Sequence, residues 1–241
     1  MTTKRHFIKV SDLTVEVVRK DIKNLHLGVY PPAGRVRVAV PTRVNDEAVR
    51  LAVVSKLSWI RRQKTRFANQ PRQSQREMIT GESHYFQGRR YRLRVVEENA
   101  ASRIQIGTAT IRIFVRPDAD AARREAVLSD WYRRELKAII PDLIAKWQSV
   151  IGVQVADWGI KKMKTKWGTC NVEAKRIWLN LELAKKPPQC LEYILIHEMV
   201  HLLERHHNDR FMALMDRFMP QWRLYRDELN RAPLGHEDWN Y

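Results

Sequence analysis

The feature that most constrains this chain is the pentapeptide His197-Glu198-Met199-Val200-His201. It lies inside an apolar run, Leu191 to Leu203, that reads Leu-Glu-Tyr-Ile-Leu-Ile-His-Glu-Met-Val-His-Leu-Leu. A run apolar nearly all round predicts a buried helix. Helical residues four apart stand ~40° apart around the axis and ~6 Å apart along it, so both imidazoles address one point. Burying two imidazoles and a carboxylate without partners costs roughly 2–7 kcal/mol for each unpaired polar group. A cation held between the histidines removes that cost and leaves Glu198 beside the open coordination position. The competing reading is a core histidine with an ordinary hydrogen bond and a glutamate facing solvent. The apolar surroundings of the whole motif argue against it.

A catalytic zinc site takes three protein ligands and keeps a fourth position for water. Four of the eight histidines lie between positions 197 and 207, so the third ligand is expected nearby, with His206 and His207 as candidates. On a straight continuing helix neither shares the face of His197 and His201, and the chain must turn after about Arg205. Asn208-Asp209 offers an N-cap for a new helix with Phe211, Leu214, Met215 and Phe218 as its apolar stripe. That places His207 at the elbow, free to point back at the metal, and leaves His206 as a supporting or surface group.

The stretch His197-Glu-Met-Val-His-Leu-Leu-Glu-Arg-His-His207-Asn-Asp-Arg-Phe211 resembles the active site of YgjP-like zinc metallopeptidases, which are related to SprT-like and WLM metalloproteases. In that family a third histidine stands six residues after the second, with an aromatic residue four further on. His207 and Phe211 fit this spacing and His206 does not. Lys164-Thr-Lys-Trp167-Gly168-Thr-Cys170 resembles the family's Trp-Gly-Ser-Cys strand motif, with threonine for serine, and Arg176-Ile-Trp-Leu-Asn180-Leu its following strand. Pro220-Gln-Trp222 and Leu229-Asn230 resemble its C-terminal helix, and Gly81-Glu82 and Gly88-Arg-Arg-Tyr91-Arg-Leu93 its preceding hairpin. The chain departs from the metzincin pattern, because Glu204 stands where that group has glycine. The resemblance implies an α+β chain with a zincin-like core around the HExxH helix.

The chain of 241 residues is long enough for a substantial core. No apolar run approaches the ~20 residues that span a bilayer. The N-terminal residues Met-Thr-Thr-Lys-Arg-His-Phe carry no apolar leader, and a cytoplasmic location is expected. Two cysteines, Cys170 and Cys190, are too few for a disulfide scaffold and are expected as small core residues. The net charge of +17 concentrates between Arg61 and Arg94, punctuated by Trp59, Phe67, Tyr85, Phe86 and Tyr91. Such a stretch suits either non-specific nucleic-acid binding or a solvated basic surface, and acidic proteins are a further class of partner.

Alternating residues from about 6 to 40 predict strands, with a turn at Pro31-Pro-Ala-Gly34. Asn45 or Asp46 predicts the cap of a helix reaching about Phe67, with Leu51, Val54, Leu57 and Trp59 on it. Asn69-Gln-Pro-Arg-Gln-Ser-Gln reads as a linker. Hairpins are expected around residues 91–96 and 104–115, then a long helix from about 120 to 150 that bends or is capped near Pro141. Strands near 158–166 and 176–181 precede the HExxH helix, which Pro187-Pro188 opens. The fold expected is thus α+β, with an N-terminal β-rich region over residues 1–118, including one long helix, and a zincin-like metallopeptidase domain over 119–241. The function expected is zinc-dependent peptide hydrolysis, with His197, His201 and His207 on the metal and Glu198 as general base. Trp167-Gly168 is expected as an edge strand for an extended substrate. Lys166 and Arg210 are candidate oxyanion donors. The rival functions are a nucleic-acid-binding protein with a structural metal, and a metal-dependent hydrolase of a non-peptide substrate.

Overall fold

The valine-rich alternation near the start of the chain pairs into a sheet. The structure is a computed structural model that describes residues 4–30, 33–69, 76–163 and 166–231. The chain divides into two compact units, Met1–Arg72 and Gln73–Tyr241.

In the first unit, β1 (Lys4–Val10), β2 (Leu13–Lys20), β3 (His26–Tyr30) and β4 (Arg35–Pro41) form a sheet of order β1-β2-β4-β3. Only the β2–β4 pair is parallel. One face carries Ile8, Val15, Val17, Val36 and Val38 into a core shared with Val49, Val53 and Ile60. The single helix expected from Asn45 to about Phe67 is two helices, α1 (Asp46–Val54) and α2 (Leu57–Asn69). Asn45 caps the first, its side chain accepting from the Ala48 N–H at 2.9 Å. At the other end, the Ser55 hydroxyl donates to the Ala52 carbonyl at 2.9 Å, a local bond that competes with helix continuation. The buried stripe also differs: Val49 and Val53 face the sheet, while Leu51 and Val54 are 64% and 52% exposed. Of the expected turn and linker, residues 31–32 and 70–75 lie outside the described residues.

The second unit begins with β5 (Ser83–Phe86), β6 (Arg89–Glu97), β7 (Arg103–Ile106) and β8 (Thr110–Val115), in the order β5-β6-β8-β7 with β6 and β8 parallel. The helix α3 (Ala121–Ile151) follows. Asp120 caps it by accepting from the Arg123 N–H at 2.7 Å, and the helix continues through Pro141 to Gly152, whose φ of 77° suits a glycine. Tyr91, Leu93, Ile111 and Ile113 pack with Leu128, Trp131 and Tyr132 of α3 in one core that also holds the HExxH helix. The boundary expected at residues 118–119 therefore falls inside this unit, because the second sheet has its buried face on the helices that follow it.

Three strands precede the HExxH helix: β9 (Asp157–Lys161), β10 (Gly168–Asn171), which begins at the glycine expected on an edge strand, and β11 (Arg176–Asn180). Their order is β10-β11-β9, so β10 is an edge strand, antiparallel to β11. A short 3-10 segment, Leu181–Lys185, leads into α4 (Pro188–Val200), and α5 (Asp209–Phe218) and α6 (Trp222–Arg231) complete the unit. The fold is α+β. Among the described residues no helix is long and apolar enough to cross a membrane.

Candidate active site

Helix α4 starts at Pro188, where a missing N–H costs nothing because first-turn donors have no helical acceptor. Leu191, Leu195, Ile196, Met199 and Val200 are buried, and the helix packs against β10, β11, α3, α5 and α6. His197 and Glu198 occupy its last turn. The helix ends at Val200, earlier than the turn expected after Arg205. The Leu203 and Glu204 N–H groups both bond to the Val200 carbonyl at 2.9 Å and begin the turn. The Glu204 carboxylate accepts the His206 N–H at 3.2 Å. Asn208 then caps α5, its side chain accepting from the Phe211 N–H at 3.0 Å. This tight reversal brings His207 back over α4 and leaves His206 exposed, outside the cluster.

The ring nitrogens of His197, His201 and His207 lie within 4.8 Å of one another. His197 Nε2 and His207 Nε2 are 3.1 Å apart. Two nitrogens on one tetrahedral zinc, each at ~2.0–2.1 Å, stand about 3.3 Å apart, so this spacing suits a shared ion. His201 Nδ1 lies 3.2 Å from the Glu204 carbonyl, and donating there leaves Nε2 as the atom that could hold an ion. Phe211 packs against all three imidazoles, with ring centroids 5.0, 4.8 and 4.7 Å from His197, His201 and His207. Tyr193 meets His197 edge-on at 5.9 Å and stacks on Trp222 at 6.3 Å. An aromatic wall thus fixes the rings that the backbone turn brings together.

The electrostatics fit a cation. Burial, reinforced by His201 and His207, pushes the His197 pKa down to about 3, and burial lowers that of His201. Both imidazoles are therefore neutral at pH 7, the form that binds metal. His197 Nδ1 is buried without a hydrogen-bond partner. Burial pushes Glu198 up to about 8, with Lys166 pulling the other way. A buried carboxyl next to three imidazoles is costly alone and favourable beside a divalent cation.

The two shifts set a pH window for metal-free protein. The depressed His197 contributes stability that is full above its ordinary value of 6.5 and is lost as pH falls toward 3. The raised Glu198 contributes stability that is full below 4.5 and is lost as pH rises through about 8. Chelator-treated protein is therefore expected to lose thermal stability on the alkaline side, and Glu198→Gln to flatten that decline. Melting curves between pH 5 and 9 check this, and an alkaline limb unchanged in Glu198→Gln contradicts it.

The cleft beside the three histidines has a volume of about 900 Å³. Trp167, Gly168 and Cys170 line it with His197, Glu198 and Lys166. Trp167 lies just before β10 and is half-buried against the core, and Gly168 opens the strand. A Cβ at Gly168 would stand 2.6 Å from Glu198 Oε1 and 2.8 Å from Ile194 Cγ2, so only glycine lets the strand lie this close to the carboxylate. Arg210 is not in the cleft lining and stands 3.9 Å from Glu204; Lys166 and Arg205 both line the cleft, and Lys166 is the cation that acts on Glu198. Cys190 is buried as expected, whereas Cys170 is half-exposed on β10. Burial and then the charge of Glu198 push the Cys170 thiol up to about 11, so it stays protonated near neutral pH.

Asn180 is the positioning residue whose role the sequence left unassigned. It is fully buried, and its Nδ2 donates to the Met163 and Lys166 carbonyls at 2.7 and 2.8 Å. Its own N–H donates to the Trp167 carbonyl at 2.9 Å. One side chain thus anchors the segment that enters β10. A buried asparagine is an expensive choice unless fully bonded, and its polarity within Ile177-Trp-Leu-Asn180-Leu was the available signal.

The comparison that decides the family is a match to the YgjP-like metallopeptidase domain over residues 23–232. The chain belongs to the YgjP-like metallopeptidase family. As a member of the YgjP-like family it is a metallopeptidase, and the histidine cluster lies within the matched residues. No relative matches among curated proteins. Two solved metallopeptidase zymogens are similar over part of the chain. Abylysin of Pyrococcus abyssi has 21% identity and a TM-score of 0.36, covering 38% of this chain and 91% of that one. Jannalysin of Methanocaldococcus jannaschii has 19% identity and a TM-score of 0.34, covering 37% and 92%.

Proposed function

We propose that this metallopeptidase is zinc-dependent and cleaves peptide bonds, with His197, His201 and His207 holding the ion and Glu198 as general base. The observation that carries the reading is one cleft that combines three converging imidazoles, a buried carboxylate and an open strand edge. A bound zinc ion supplies Lewis acidity, which lowers the pKa of water and polarises a carbonyl.

The chain's own groups do the rest. Glu198, held at the cleft floor by Ile194 and the bare Gly168 backbone, takes a proton from the attacking water at a carboxylate oxygen. It then delivers that proton to the leaving amine nitrogen. The Asn180 anchor fixes the segment entering β10, and the free edge of β10 pairs with an extended peptide through backbone hydrogen bonds. Lys166, whose charge acts on Glu198, is a candidate to support negative charge on the carbonyl oxygen. A cytoplasmic setting belongs to this reading and is supported by the two unpaired cysteines.

The test is a cleavage screen of unstructured peptides beside simple esters and phosphodiesters, with and without chelator. Chelator-sensitive peptide cleavage is the expected result. Chelator-sensitive turnover of a non-peptide ester without any peptide cleavage overturns the substrate class.

A further inference from the structure

The arginine-rich stretch noted in the sequence is divided between the two units. Arg61 and Arg62 stand on α2, where Arg61 pairs with Asp12 at 2.7 Å. Arg76 is engaged by Glu82 at 3.2 Å and by the Ser83 carbonyl at 2.6 Å. Arg89, Arg90, Arg92 and Arg94 lie on β6, in the unit that holds the histidine cluster. There, strand alternation sends Tyr91 and Leu93 into the core and Arg90, Arg92 and Arg94 to the opposite, exposed face.

The neighbouring strands extend this face. On β8, Ile111 and Ile113 are buried and Arg112 is exposed. The register sets Arg94 directly beside Arg112, Arg90 opposite Tyr85, and Arg103 opposite Phe114. Positions of this parity on the four strands include no aspartate or glutamate. Arg103 alone meets a carboxylate, that of Glu98 in the connection from β6 to β7. Arg90, Arg94 and Arg112 have no ion-pair partner among the described residues. Like charges directly opposite on paired strands are destabilising, and this face has no internal acid to offset them. The cost is reversed by a bound polyanion.

An exposed aromatic identifies the kind of polyanion. Tyr85 is 39% exposed on the edge strand β5, and the Phe114 ring carries the Arg103 guanidinium 3.9 Å above it. An open sheet face that offers the Tyr85 ring to a base and guanidinium groups to phosphates suits a single strand, whose unstacked bases are available. Alternate residues of β6 repeat every ~6.6 Å, a spacing of cations suited to successive phosphates of an extended strand. A duplex presents no free base faces to Tyr85. We propose that the open face of the β5-β6-β8-β7 sheet binds single-stranded nucleic acid, with Arg90, Arg94 and Arg112 on phosphates and Tyr85 stacking on a base.

The test is fluorescence anisotropy of a labelled single-stranded oligonucleotide across a salt series, beside a duplex of the same sequence and vesicles of anionic phospholipid. Three phosphate contacts account for a log–log salt slope of about −2 on a single strand, so replacing Arg90, Arg94 and Arg112 with glutamine should weaken binding about 100-fold at 0.1 M salt. The slope should flatten by the same amount. Tyr85→Ala should weaken binding about 10-fold or more at every salt concentration and leave the slope unchanged. Peptide cleavage and the melting temperature report that each variant is folded, and neither should fall. No binding by the native chain at low salt overturns the proposal, as does native affinity in the triple variant. Equal or tighter binding of the duplex or of vesicles overturns the choice of a single strand.

Discussion

Glu198→Gln should lose at least ~100-fold in peptide hydrolysis while keeping its metal and its fold, because a general base contributes about this much. Glutamine preserves the shape that fits between Ile194 and Gly168 but cannot accept a proton. The buried position of Glu198 makes the expectation sharper. Its carboxyl is pushed up to about 8 by burial, so replacing it with a neutral amide removes a desolvation cost and should not destabilise metal-free protein. The signature is therefore a large fall in kcat with equal or higher thermal stability. Metal content, melting temperature and peptide turnover measured on one preparation read all three, and near-native turnover contradicts the general-base role.

Gly168→Ala is the second large effect. The added methyl would stand 2.6 Å from Glu198 Oε1 and 2.8 Å from Ile194 Cγ2, closer than packed atoms come. Ile194 is held in the core of α4, so Glu198 or the entry to β10 must move. Displacing a reacting group by ~1 Å costs about 100-fold in rate. None of the three atoms nearest the added methyl belongs to a histidine, so metal content should stay at the native value. Loss of hydrolysis with retained metal supports the close approach of strand and carboxylate, and full activity in Gly168→Ala contradicts it.

The site was more legible in the sequence than the arrangement around it. The four-residue spacing of His197 and His201 and the apolar run around them carry their own geometry. The Asn208 cap signalled the reversal that returns His207 to the same face. That signal is local: it depends on a side chain reaching a backbone N–H three residues on. The break at Ser55–Lys56 was not legible, because α1 and α2 separately follow a helical pattern and the sheet selects which faces are buried. β10 was legible only in part: Trp167-Gly168 read as an edge strand, but the extent of the strand to Asn171 did not. It is only four residues long, and Asn180, from the next strand, anchors the segment before it. The pairing of β6 with β8, which sets Arg94 beside Arg112, joins segments that are not consecutive strands, and composition carries no record of it. The charge of the arginine stretch was readable, but its division between α2 and β6 was not.

The central claim is that His197, His201 and His207 form one zinc site that drives peptide cleavage. The most direct measurement is zinc bound per chain, with peptide turnover, in chelator-treated protein titrated with zinc. Native protein and His206→Ala should each regain full turnover as about one zinc per chain binds, the count expected of a site with three protein ligands. His207→Ala should bind far less zinc and stay inactive. Zinc uptake and turnover that survive in His207→Ala but vanish in His206→Ala contradict the account.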